Sequence, residues 1–169
     1  MKKPFESIVS ICVLGCLIAA AEALALPGTA VYAAPSTQQG NVRLENLLKR
    51  EQIILNNQQQ RMSLSNQVVT AAQTWISNLQ GRGKDVSALQ SALAAFQSGL
   101  SQAQGSFNTA QSTLNTHAGF DANGKVTDAA QALATLTQAG RAERQFHLTI
   151  TQATLDFRQA VRQYLQANK

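Results

Sequence analysis

Between Val86 and His117 one series of residues recurs at alternating steps of three and four: Val86, Leu89, Leu93, Phe96, Leu100, Ala103, Phe107, Ala110, Leu114 and His117. A helix wound at about 3.5 residues per turn brings such a series onto a single stripe. That stripe is stable only against matching stripes, so the pattern commits the chain to a bundle of long helices. No segment shows the two-residue alternation of a half-buried strand.

Two further segments supply the partners. From about Asn41 to Gln80 the stripe is Leu48, Leu55, Met62, Val69 and Ile76, with Leu44, Glu51, Gln58, Ser65, Ala72 and Leu79 beside it. This companion row is apolar at its ends and polar in its middle, which marks a weak part of the seam. From about Asp128 to Gln166 one row runs through Leu133, Leu136, Gly140, Glu143, His147, Ile150, Thr154, Phe157, Val161 and Tyr164, and a second through Ala132, Ala139, Phe146, Ala153 and Ala160. Two adjacent rows give the broad apolar face that a helix with two neighbours requires. The fold class expected is all-α: an antiparallel up-down-up bundle spanning 41–169, with helices over 41–80, 86–117 and 128–166.

The connections agree with that topology. Gly81-Arg82-Gly83-Lys84-Asp85 is short enough to force a hairpin, with Gly81 suited to a left-handed helix stop and Asp85 to the next N-cap. In the longer link Gly119 can take the left-handed stop with Phe120 folding back. Asp121 to Gly124 is turn chemistry, and Thr127 or Asp128 can cap the third helix, Asp128 with Gln131 having capping-box spacing.

The first 33 residues read as an export signal. Lys2 and Lys3 precede an apolar run from Ile8 to Ala21, and Pro27-Gly28 breaks the helix before the small-residue site at Val31-Tyr32-Ala33. Cleavage is expected between Ala33 and Ala34, with Ala23-Leu24-Ala25 as a second choice, leaving 34–40 as a short disordered leader. Two alternatives are an uncleaved membrane anchor and acylation at Cys16, where Val13-Leu14-Gly15-Cys16 resembles a bacterial lipobox. Both cysteines, Cys12 and Cys16, lie in this segment, so the exported chain has neither disulfide nor thiol chemistry. The expected location is therefore secreted or extracytoplasmic, in the cell envelope.

The net charge of +5 survives cleavage, because Lys2 and Lys3 balance Glu6 and Glu22. Only 14% of residues are charged and the basic ones are scattered, which argues against nucleic-acid recognition. Mild attraction to anionic envelope polymers or a membrane surface is compatible with this balance. Nothing resembles a nucleophile with its base, a phosphate loop or a paired-acid site, so neither an enzyme nor a cofactor is implied.

The candidate sites are few. If the first hairpin turns at 81–85, His117 lies level with about residue 50, close to Glu51. One histidine with carboxylates, Asp121 and Asp128 being nearby in sequence, is a conceivable divalent-metal site, set against an ordinary polar bundle end. Glu143 and His147 are four apart on one helical face, and the levels opposite, near Val68 and Ser98, offer no further ligand. The loop from Asp121 to Asp128 lacks the sixth-position glycine and twelfth-position acid of an EF-hand. Trp75 is expected in the core. Leu148 and Leu155, with Arg141, Arg158 and Arg162 nearby, either meet the first helix or form an exposed apolar strip edged by positive charge.

Two resemblances bear on function. Leu148-Thr149-Ile150-Thr151-Gln152 resembles the LTxxQ signature of the Spy/CpxP group of periplasmic helical chaperones, which implies an ATP-independent holding activity toward unfolded clients. That family carries the motif twice, at a helical bend, whereas this copy is single and lies mid-helix. The stretches from His117 to Asp121 and from Gly124 to Asp128 are similar to small exported bacterial helical-bundle proteins with no assigned activity. The expected function is a non-enzymatic envelope or secreted bundle acting by protein–protein contact or as a spacer, with homo-oligomerisation open. A holding chaperone is the first alternative and divalent-metal binding the second.

Overall fold

The computed structural model describes residues 37–168. The export segment 1–33, the cleavage site Ala33–Ala34, Cys16 and residues 34–36 of the leader lie outside the described residues. The stripe beginning at Val86 becomes the inner face of α2 (Ser87–Thr116), where Leu89, Leu93, Phe96, Leu100, Ala103, Phe107, Ala110 and Leu114 are all buried. It packs between α1 (Thr37–Gln80) and α3 (Ala129–Ala167), and the three form the antiparallel up-down-up bundle. α1 is 44 residues long, or about 66 Å at 1.5 Å per residue. It starts at Thr37, so 37–40 form its first turn instead of belonging to a disordered leader. Gln38 and Gln39 are adequate helix formers and offset the cost of Gly40 in the first turn.

Two glycine stops shape the connections. After α1 the left-handed residue is Gly83 (φ 71°), not the Gly81 that the sequence suggested. Gly81 N–H still donates to Ser77 O, while Gly83 donates to Gln80 and Lys84 to Leu79, the paired bonds of a Schellman end. The Asp85 carboxylate then accepts from Ser87 N–H at 2.9 Å, which holds its pKa below the usual range. At the other end of the bundle His117 (φ 50°) and Gly119 (φ 87°) are both left-handed. A Cβ on Gly119 would lie 2.1 Å from Ala132 N, so only glycine fits there.

The 118–127 link does not simply cross from one helix to the next. Phe120 bridges Val126, and both Thr127 and Asp128 N–H donate back to Gly119 O. Phe120 is buried beneath the loop with Leu48, Leu114 and Leu136. Thr135 Oγ1 donates to Ala118 O at 2.8 Å, so the first turns of α3 run alongside the loop before α3 reaches the end of α2. Asp128 caps α3 as expected, accepting from Ala130 and Gln131 N–H.

This fold-back sets the register. Phe107 meets Phe146 (centroids 6.4 Å apart) and Phe96 stacks on Phe157 at 5.2 Å, which places Glu143 near the level of Ala110. The simple hairpin estimate put it near Ser98, about three turns away. Within the third-helix row, Leu133 and His147 are exposed rather than inward. The inward positions are Ala132, Leu136, Ala139, Glu143, Phe146, Ile150 and Phe157.

Candidate functional site

The polar middle foreseen in the α1 seam is a built layer between α1 and α3. Glu143 is 4% exposed and Gln58 7%, although both carry groups that water solvates well. Gln58 Nε2 donates to Glu143 O at 3.1 Å, while Gln58 Oε1 and Glu143 Oε1 have no partner. Half-buried Glu51 hydrogen-bonds to the Glu143 carboxyl. Gly140 lines this approach, and a Cβ there would make only an ordinary contact, 4.0 Å from Glu51 Oε2. Burial first, and then the neighbouring Glu51 carboxyl, push the Glu143 pKa up to about 9. Glu143 therefore keeps its proton near neutral pH.

One turn further along, Arg61 spans the same interface. Its Nη1 lies 3.0 Å from His147 Nδ1, and its Nη2 donates to Thr151 Oγ1 at 3.1 Å. A guanidinium carries only donors, so the imidazole nitrogen accepts. Beyond the layer the interface becomes apolar, with Trp75 edge-on to Tyr164 at 5.9 Å, and Trp75 is in the core as expected.

The sequence-derived metal pair is not brought together as proposed. Glu51 turns to Glu143, and His117 Nδ1 contacts Asn115 O at 3.1 Å within its own helix end. Asp121 accepts from Asn123 and Lys125 N–H, and Asp128 is occupied as a cap. Among the described residues no group of three His, Cys, Asp or Glu side chains is arranged to hold a metal ion. Glu143 and His147 likewise part company, one facing Glu51 and the other Arg61. The hairpin estimate missed both partners because it took no account of the loop fold-back. It also missed Glu45, whose carboxylate pairs with Lys125 at 2.8 Å and clips α1 to the loop, lowering the Glu45 pKa and raising that of Lys125.

Leu148 and Leu155 do not meet the first helix. They are 57% and 47% exposed, on the side of α3 turned away from its buried face. Arg141 and Arg162 lie seven residues to either side and are exposed; Arg158 is half-buried nearby. Arg144, absent from the sequence-derived set, is exposed on the adjoining row. Its seven-residue spacing to Thr151 and Arg158 was the available signal. No ion pair ties these arginines among the described residues. The LTxxQ residues sit on this uninterrupted helix, with Thr149 accepting from Gln145 and Gln152 donating to Asp156. A shallow trough between α2 and α3 near Ser106, Thr109, Leu133 and Thr137 adjoins Arg141.

No helix among the described residues is long and apolar enough to cross a membrane. No protein-family model, curated protein or solved structure matches the chain. Fold and surface together define a three-helix antiparallel bundle with a polar layer around buried Glu143 inside and an uncovered basic-apolar row outside.

Proposed function

We propose that the chain is an exported, non-enzymatic bundle of the cell envelope or extracellular space that acts by protein–protein contact, with the outer face of α3 as its contact surface. The observation that carries this reading is the exposure of Leu148 and Leu155 among arginines, on the side of α3 opposite its buried face. Large apolar side chains held in water beside uncompensated charge suit a surface covered by a partner. The 1–33 pattern supports export.

A direct test places a photo-crosslinking amino acid at position 148 or 155 in producing cells, with position 90 on α2 as an exposed control. The reading expects discrete adducts from 148 and 155 and none from 90. Equal labelling from all three positions, or none from any, would overturn it.

A second reading, an ATP-independent holding chaperone, draws on the same exposed leucines and the LTxxQ resemblance. It expects heterogeneous adducts in place of discrete ones. It also expects stoichiometric protein to reduce light scattering from a heat-denatured client, and absence of suppression at excess removes it.

A further inference from the structure

The outer face of α3 carries a second heptad seam that nothing in this chain fills. Arg141, Leu148, Leu155 and Arg162 are spaced by seven. Gln145, Gln152, Gln159 and Gln166 interleave with them at the same interval, and all four glutamines are exposed. The 4-3 alternation is that of a helix-pairing face, here with leucine at its two central positions and arginine at both ends.

Resting on the contact surface proposed above, we infer that the occupant is an acidic amphipathic helix of another protein. It would bear two apolar residues seven apart and a carboxylate seven residues beyond each. Neither acid of α3 pairs with Arg141 or Arg162: Glu143 is buried against Glu51, and exposed Asp156, at the edge of the seam, accepts from Gln152. The carboxylates must therefore come from outside. A second copy of this chain fails on charge. Antiparallel pairing about the centre sets Arg141 beside Arg162, and parallel pairing sets each arginine against itself, so either arrangement is repulsive. The exposed apolar residues of α1 do not complement the seam either. Val42, Ile53 and Leu64 are eleven apart, and Lys49 and Arg50 lie between the first two. With only two leucines in the seam, the arginines set partner choice and make binding salt-sensitive.

The probe is a fluorescein-labelled synthetic helix with the order Glu, Leu, Leu, Glu at seven-residue intervals, followed by anisotropy against the purified protein at low and physiological salt. Companion probes carry Gln or Lys in place of the two glutamates, and a parallel arm uses phosphatidylglycerol–phosphatidylcholine vesicles. The Glu probe should bind at least tenfold more tightly than the Lys probe. The double variant Arg141→Glu, Arg162→Glu should reverse that preference with an unchanged melting temperature, and should also abolish the discrete adducts from position 148. Preference indifferent to charge reversal, or vesicle binding with no probe binding, overturns the acidic-helix inference. The broader contact-surface reading then still stands if Leu148→Ser with Leu155→Ser abolishes the adducts from a crosslinker placed at exposed Gln159 of the same seam. If adducts survive both double variants, both proposals fall.

Discussion

The two seams of α3 differ in kind. Against α2 it presents alanines and aromatics: Ala132, Ala139 and Phe146 are fully buried, and a Cβ on Gly99 would stand 2.6 Å from that of Ala153. Against α1 it presents Glu143, His147 and Thr151, met by Glu51, Gln58 and Arg61. The first seam is stabilised by close packing and apolar burial. In the second, buried polar groups gain little net energy, and two of them, Gln58 Oε1 and Glu143 Oε1, have no partner at all. The α2–α3 pair is thus the more closely packed frame, while the middle of α1 combines the apolar contacts of Leu55 and Met62 with the polar layer around Glu143.

Breaking the frame should have the largest effect. Phe146→Ala removes a fully buried ring that packs on Phe107 and should lower stability by about 3–5 kcal/mol, read by denaturant unfolding. The polar layer should respond to pH instead. The Glu143 pKa is raised from 4.5 to about 9, so the folded state holds a proton that the unfolded state has lost. Its stabilising contribution is therefore complete below about pH 4.5 and is lost as pH rises toward 9. The slope is at most about 1.4 kcal/mol per pH unit, the limit for one proton. Melting curves from pH 5 to 9 should show this decline, and Glu143→Gln should flatten it. An equal slope in the variant would mean the proton resides elsewhere.

A smaller change is expected at Arg61. Arg61→Met loses the bonds to His147 and Thr151, but at the edge of the layer and partly in water, so about 1 kcal/mol or less is expected from thermal unfolding. Native-state hydrogen exchange sharpens the same contrast: amides around Glu51 to Arg61 should open at lower free energy than those around Phe96 to Phe107. Uniform protection along both helices would count against a frame with one weaker partner.

What the sequence made legible follows from periodicity. A heptad row determines which side of a helix turns inward, so the α2 stripe, the cap at Asp128 and the polar middle of α1 were readable directly, whereas the N-cap of α2 falls on Val86, one residue after the expected Asp85. Axial register was not, because it depends on how the 118–127 link folds. An extended link would level Glu143 with Val68; the folded one, pinned at Gly119, levels it with Glu51 and Gln58. That shift supplies Glu143 with its partner Glu51. Leu133, Leu148 and Leu155 were ambiguous for another reason. Apolar residues lie on more than one side of α3, and only packing decides which side the neighbours cover.

The most direct test of the account is the double variant Leu148→Ser, Leu155→Ser, measured for melting temperature and for crosslinking from exposed position 159 on the same helix. If the outer row of α3 is a contact surface and not part of the bundle, melting should stay within about 2 °C of the parent, well under 1 kcal/mol, while the adducts disappear. A fall of many degrees with the adducts intact would place the leucines in the structural core and contradict the account.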